Sequence, residues 1–98
     1  MRLDKFLKSV NLIKRRTVAN EAADEGFVLI NGRKAKPSST VKEDDILELD
    51  MWNYYKKVRV IQLPGRRNVS KKDTALYIEQ LEYNAKSPAD IIELDEEE

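Results

Sequence analysis

The apolar residues near the N-terminus recur with the period of a helix. Leu3, Phe6, Leu7 and Val10 follow the spacing i, i+3, i+4, i+7, which predicts a first helix from about residue 2 to 10. Asn11 is a suitable stop for this helix. A second helix is predicted from about 16 to 25, and its apolar positions are Val18, Ala19, Ala22 and Ala23. Gly26 then stands where a helix end favours left-handed geometry. The two segments together predict a helical hairpin.

The following segment has the pattern of a β-hairpin. Residues 28–30 are apolar, and Asn31-Gly32 is the strongest short hairpin signal because a type I′ turn needs two positive φ angles. The second strand is predicted from Arg33 to Lys36, and Pro37 ends the pairing because it has no N–H to donate. Further along, the pattern predicts a turn at 41–45, a strand at 46–50, an aromatic connection at 51–55 and a strand at 56–63 with Val58, Val60 and Gln62 on one face.

The C-terminal third is less regular. Pro64-Gly65 opens a loop, and Ser70 with Asp73 resembles a capping box, which predicts a short helix over 71–76. Residues 77–83 fit a helix extension and a last strand equally well. Residues 88–98 carry six acidic residues and no basic one, so we expect a disordered tail after a domain spanning 1–87. The fold class is therefore α+β, with two helices followed by a small, mostly antiparallel sheet.

The net charge of zero conceals an uneven distribution. Residues 1–36 hold nine Lys/Arg and four Asp/Glu, whereas residues 37–98 hold nine and fourteen. Such asymmetry fits a basic binding face with an acidic tail, and it also fits an ordinary mixed-charge surface. The 98 residues make one domain, which we expect to be a monomer. The N-terminus lacks a signal-peptide pattern, and no apolar run reaches membrane length, so we expect a cytoplasmic protein without membrane contact.

The residue types argue against catalysis. The chain has no His and no Cys, which removes the commonest general base, the commonest metal ligand and every thiolate site. It has no Gly-rich phosphate loop and no nucleophile elbow. Asp44 and Asp45 form a carboxylate pair, but acids in a turn are usually solvated. We therefore expect no enzyme activity, no metal site and no cofactor.

Basic residues form three groups that converge if the helical hairpin packs on the β-hairpin. The groups are Arg2, Lys5 and Lys8; Lys14, Arg15 and Arg16; and Arg33, Lys34 and Lys36. For Lys5 or Lys8 alone, a solvated surface is the better interpretation. The second group stands at a predicted helix N-terminus, where each cation costs about 0.3–1 kcal/mol. Free N–H groups at that end bind phosphate, and arginines add bidentate partners, so a bound phosphate offsets this cost. The pattern predicts nucleic-acid binding.

Several other residues allow two interpretations. Asp4 is either an exposed acid or a residue that orients one of the arginines. Trp52, Tyr54 and Tyr55 could stack on bases, although packing is the commoner role of such residues. Arg66 and Arg67 are possible phosphate contacts that belong to no motif.

A set of short motifs in the first 50 residues resembles the S4-type RNA-binding domain. The motifs are Arg2-Leu3-Asp4, Arg16-Thr17, Gly26, Val28 and Asn31-Gly32, in this order. The resemblance implies an S4-like (alpha-L) RNA-binding fold, with Arg2, Asp4 and Arg16 as binding positions. Lys14, Arg15, Thr17 and Lys34 are neighbours inferred from charge and geometry.

The chain also resembles the RqcP-like branch of small stand-alone S4-domain proteins, which is akin to a ribosome-associated heat-shock protein. That resemblance implies binding to stalled large ribosomal subunits that carry peptidyl-tRNA, with contacts to rRNA and tRNA. Such a protein would stabilise P-site tRNA while an RqcH-like factor directs alanine tailing of the nascent chain. One alternative is a heat-shock-type recycling factor for obstructed large subunits. Another is an RNA-binding accessory or adaptor of a different ribosome-linked complex. A third is a protein–protein adaptor that would use the aromatic patch at 52–55 and the acidic tail.

Overall fold

The computed structural model describes residues 1–65 and 68–86. The predictions for Arg66, Arg67 and the tail at 88–98 therefore lie outside the described residues. The described elements are α1 (Leu3–Ser9), α2 (Arg16–Asp24), β1 (Val28–Ile30), β2 (Arg33–Lys34), β3 (Ile46–Asp50), β4 (Tyr54–Val60), the 3₁₀ helix η1 (Lys71–Leu76) and β5 (Ile78–Ala85).

The helical hairpin forms as predicted, with one exception on α2. The three apolar side chains of α1 and that of Val10, which follows it, are fully buried, and Asn11 then has a φ of +64°. The buried side of α2 consists of alanines, whose small side chains let the two helices approach closely. Val18 was predicted among the apolar positions of this helix, but its side chain is 40% exposed, unlike the three alanines. It precedes buried Ala19 by one residue, and successive helical residues point about 100° apart.

The five strands form one fully antiparallel sheet in the order β2-β1-β3-β4-β5. The tight turn between β1 and β2 is confirmed, since Asn31 and Gly32 have φ angles of +52° and +83°. Strand β2 ends at Lys34 and not at Lys36 as predicted. Ala35 still donates its N–H to the Val28 carbonyl, but the Lys36 N–H turns away to the Ser39 hydroxyl.

The fourth strand is displaced towards the N-terminus relative to its prediction. It covers 54–60 and not 56–63, because Tyr54 and Tyr55 pair with Ala85 and Asn84 of β5. Residues 78–85 are this partner strand, which decides between the two structures that the sequence allowed. The pairing contains one irregularity, between Lys57 and Val58.

The short helix at 71–76 forms as a 3₁₀ helix without the predicted capping box. The Ser70 side chain makes no capping bond, and the Asp73 N–H donates instead to the Ser70 carbonyl at 2.9 Å. Asn11 holds this helix against the end of α1. Its side-chain amide donates to the Val69 carbonyl at 2.8 Å and to the Thr74 hydroxyl at 3.1 Å.

The core lies between the two helices and one face of the sheet, here called the inner face, which carries Leu47, Leu49, Val58 and Val60. The first backbone N–H groups of α1 donate to carbonyl groups of the loop at 37–39. The Leu3 N–H donates to the Ser39 carbonyl at 2.8 Å, and the Asp4 N–H donates to the Pro37 carbonyl at 3.1 Å. This loop therefore fixes the start of α1. In the described part of the chain, no helix is long and apolar enough to cross a membrane.

Packing of α1 on the core predicts a large effect for Leu7→Ala. Leu7 is fully buried, so its truncation should lower the free energy of unfolding by about 2–5 kcal/mol. Leu76→Ala is the matched control, because Leu76 is 59% exposed and its truncation should cost less than about 0.5 kcal/mol. Urea titrations followed by circular dichroism measure both values. Equal losses in the two variants would contradict the described packing of α1.

Candidate nucleic-acid interface

The centre of the site is the carboxylate of Asp4, which lies in the first turn of α1 with its side chain only 3% exposed. Arg2 binds it with two nitrogens, Nε to Oδ1 at 3.1 Å and Nη2 to Oδ2 at 3.2 Å. Asn20 of α2 donates to Oδ2 at 3.2 Å, and the Lys5 backbone N–H donates to Oδ1 at 2.8 Å. Arg16 at the start of α2 places Nη2 3.5 Å from Oδ1. This geometry agrees with an orienting role for Asp4 and not with an exposed acid.

Asp4 remains ionised despite its burial. Burial alone raises the pKa of Asp4, but the hydrogen bonds from Arg2, Asn20 and the Lys5 N–H, with the positive charge of Arg16, outweigh it and lower the pKa to about 2. One carboxylate thus faces two guanidinium groups. The cluster keeps a net positive charge, and about half of each arginine side chain stays exposed.

The N-terminus of α2 is positive and open to a ligand. Arg15 occupies the capping position and makes no side-chain capping bond. Within the described residues, the backbone N–H groups of 16–18 have no hydrogen-bond acceptor, whereas those at the start of α1 are bonded to the 37–39 loop. Lys14 and Arg15 are exposed beside these N–H groups. The dipole, the N–H groups and the cations together favour an anion at this end.

A groove of about 400 Å³ lies beside this end of α2 and is lined by Asp4, Arg16, Thr17, Asn20 and Glu21. Arg16 offers a guanidinium fork suited to phosphate oxygens, and Thr17 adds a hydroxyl group at the rim. Asn20 is a residue of this site that was not predicted from the sequence. Its position four residues after Arg16, hence on the same helix face, was an available signal.

The predicted convergence of three basic groups holds only in part. Arg2 and Arg16 meet at Asp4, and Lys5 contributes its backbone N–H there, while Lys8 points to solvent. The stem of Lys34 lies beside Gly26, where an added Cβ would be 3.3 Å from Cδ of the lysine. Gly26 follows the C-terminus of α2, so about 13 Å of helix separates Lys34 from the Arg16 end. Arg33 and Lys36 are exposed in and after β2.

The aromatic residues at 52–55 do not form one patch. Tyr55 donates its hydroxyl to Glu48 at 2.5 Å, and this hydrogen bond is the main reason that the pKa of Tyr55 rises to about 12. Tyr54 stacks on Tyr83 with ring centroids 6.0 Å apart. Trp52 lies in the turn between β3 and β4, beside a surface that includes Val18 and Phe27. The patch expected for an adaptor is therefore not present. Among residues 1–65 and 68–86, no group of three or more His, Cys, Asp or Glu is placed to hold a metal ion.

The lowered pKa of Asp4 predicts an acid-dependent contribution to stability. The pKa falls from 3.8 to about 2 on folding, so the contribution is complete above pH 4 and is lost as the pH falls towards 2. We expect it to be about 1–2 kcal/mol, allowing for the half-exposed arginines. Asp4→Asn should lower the free energy of unfolding at pH 7 and remove this part of the acid dependence.

Urea titrations between pH 2 and 7 measure both effects. The control is Asp24→Asn, since Asp24 is an exposed carboxylate of α2 and should leave the wild-type acid dependence in place. An Asp4→Asn variant that still loses stability between pH 4 and 2 as the wild type does would refute the described charge pairing.

Comparisons with known proteins agree with this fold and with the resemblance seen in the sequence. Residues 1–47 match the S4 domain family. An RQC P-site tRNA stabilizing factor of Helicobacter pylori (strain J99) is 45% identical over 78 residues, which cover 80% of this chain and 93% of that protein. Its counterpart in Bacillus subtilis (strain 168) is 47% identical over 75 residues, which cover 76% and 84%. The trimeric structure of heat shock protein 15 from Vibrio cholerae shares the fold, with a TM-score of 0.70, 22% identity and coverage of 93% and 86%. The chain thus belongs to the S4-domain family of RQC P-site tRNA stabilizing factors.

Proposed function

We propose that this chain binds RNA on stalled large ribosomal subunits and stabilises the P-site tRNA there. The name of its relatives supports this role, since the Helicobacter pylori and Bacillus subtilis proteins are P-site tRNA stabilizing factors and match most of this chain. In this role the chain acts by binding and not by catalysis. It works in the cytoplasm as a monomer, on the same subunit as an RqcH-like tailing factor.

The observation that carries the proposal is the position of Arg16. Its side chain lies at the open N-terminus of α2, is half exposed, and is oriented by the buried carboxylate of Asp4. A phosphate bound there receives backbone N–H bonds, the positive end of the helix dipole and a guanidinium fork at once. An RNA backbone supplies such phosphates. The empty site, by contrast, keeps several cations close together.

In this proposal some of the predicted residues contact phosphate directly or orient those that do, and the others contribute only through their charge. Arg2 and Arg16 contact phosphate, Asp4 orients both, and Thr17 adds a hydroxyl contact. The other basic residues extend the positive field along the same half of the chain and accelerate the encounter with RNA. They are Lys5, Lys8, Lys14, Arg15, Arg33 and Lys34.

The alternatives receive less support. A heat shock protein 15 homologue of Haemophilus influenzae is 32% identical over 79 residues, but the match covers only 60% of that protein. The stabilizing factors are matched at 45% and 47% over 93% and 84% of their length. The adaptor was predicted to use one aromatic patch at 52–55, and the described residues do not form it, because Tyr54 and Tyr55 lie on opposite faces of β4.

Arg16→Ala tests the proposal directly. Loss of one charge-assisted contact of about 1.5–3 kcal/mol should weaken binding to large subunits that carry peptidyl-tRNA by roughly 10- to 100-fold. Arg59→Ala is the matched control, because Arg59 is paired with Asp44 and Glu79 on the sheet and lies away from the site. Gradient co-sedimentation with purified subunits measures binding, and thermal unfolding verifies that both variants are folded.

The salt dependence of binding gives a second measurement. Each phosphate contact contributes about 0.7–0.9 to the slope of log affinity against log salt, so Arg16→Ala should reduce the slope by about that amount. A wild-type plot that is nearly flat, or an Arg16→Ala variant that sediments with subunits as the wild type does, would refute the proposed phosphate site.

A further inference from the structure

A second basic surface lies on the sheet, outside the segment that matches the S4 domain. On the inner face, beyond the part that the helices bury, Tyr54 of β4 stacks on Tyr83 of β5 at 6.0 Å with an angle of 27° between the rings. Nζ of Lys56 lies 6.0 Å from the Tyr54 ring centre and 5.5 Å from that of Tyr83. The Tyr83 side of this stack is 50% exposed. Tyr54, Lys56 and Tyr83 form a strip on the inner face, in which an ammonium group lies beside an accessible aromatic ring.

The strip continues into a groove between the sheet, the end of α1 and η1. The groove encloses about 310 Å³, and Lys56, Lys71 and Lys72 line it. We call it the lysine groove. Asn11 fixes the wall formed by η1, because its amide bonds join the end of α1 to Val69 and Thr74. The two lysines of η1 are therefore held opposite Lys56 by the fold itself.

The acidic residues of the described strands lie on the face of the sheet opposite this groove. Side chains alternate between the two faces of a strand, and the register places Glu48, Asp50, Glu79 and Glu82 on the outer face with Lys57 and Arg59. Asp73 belongs to η1 but is not among the residues that line the groove. Among the described residues, the lining contains three cations and no carboxylate. Such a surface complements a ligand of continuous negative charge.

We propose that the lysine groove binds an unpaired stretch of RNA, with its phosphates on the three lysines and a base stacked on the exposed ring of Tyr83. Proteins that bind single strands combine a positive groove with aromatic stacking platforms in this way. A duplex keeps its bases stacked on each other, so it cannot use the ring. The inference rests on the proposed function, because it adds a second RNA contact to the one at Arg16.

Substitution of neighbouring lysines on β4 tests the charge component. A short fluorescein-labelled oligouridine is titrated with the full chain, and binding is followed by fluorescence anisotropy. Lys56→Ala should weaken binding about fivefold or more through the loss of a phosphate contact. Lys57→Ala removes the same charge from the outer face of the same strand and should leave the affinity unchanged. Equal effects of the two substitutions would overturn the proposal.

Substitution of Tyr83 tests the stacking component. Tyr83→Leu keeps an apolar side chain beside Tyr54 but removes the outer ring, so oligouridine should bind about fivefold or more weakly. An abasic ribose-phosphate oligomer of the same length carries the same charge without bases, and its affinity should not change. The proposal is wrong if Tyr83→Leu affects both probes equally, if a duplex RNA binds the groove as well as oligouridine, or if an oligoglutamate of equal charge binds more tightly.

The two proposals fail in different ways. If Arg16→Ala weakens subunit binding while Lys56→Ala and Lys57→Ala bind oligouridine equally, the lysine groove is not an RNA site and the proposed function stands. If Lys56→Ala weakens oligouridine binding while Arg16→Ala leaves subunit binding unchanged, the groove proposal stands and the phosphate site at α2 is refuted.

Discussion

The arrangement of this protein depends on one buried carboxylate. Asp4 is ionised in a place that water scarcely reaches, and a buried charge is tolerated only when partners compensate for its lost hydration. Its partners come from the residue before α1, from α1 itself and from two turns of α2. Packing of the two helices therefore requires that Arg2 and Arg16 point at the same spot. The positions of the arginines are coupled to the folding of the core, because without them the buried carboxylate of Asp4 would keep only the hydrogen bonds from Asn20 and the Lys5 N–H and would have no opposite charge beside it.

The first backbone N–H groups of α1 and those of α2 have different surroundings. At α1, protein carbonyls from the 37–39 loop accept the first N–H groups, and a carboxylate stands in the first turn. At α2, the first turn holds no acidic residue, and cations surround N–H groups that have no acceptor in the described structure. Each choice at α2 is locally unfavourable for stability. The same choices would favour a bound anion, which is why the proposed phosphate site lies at the start of α2 and not at that of α1.

Local patterns predicted the elements whose causes are local. The period of α1, the Asn31-Gly32 turn and the alternation at 46–50 are each visible in neighbouring residues, and the helix, the turn and strand β3 are confirmed. The failures have non-local causes. Residues 77–83 could not be assigned because β5 is defined by pairing with β4, and Tyr54 and Tyr55 join β4 for the same reason. The burial of Asp4 could not be predicted from the sequence either, because it depends on contacts with Asn20 and with a loop more than thirty residues away.

The register of the sheet also explains why the net charge of zero does not reveal the basic surfaces of this protein. Residues 37–98 hold more acidic than basic residues, but six of those acids belong to 88–98. The four acids of β3 and β5 face outward with Lys57 and Arg59 of β4. A shift of one residue in the pairing would carry the acids to the inner face and Lys56 to the outer face. The irregularity between Lys57 and Val58 keeps Tyr83 beside Lys56 while Gln80 and Ile78 stay opposite Val58 and Val60. Charge separation between the faces is thus a property of strand pairing, and a neutral chain can present cations at both the start of α2 and the inner face of the sheet.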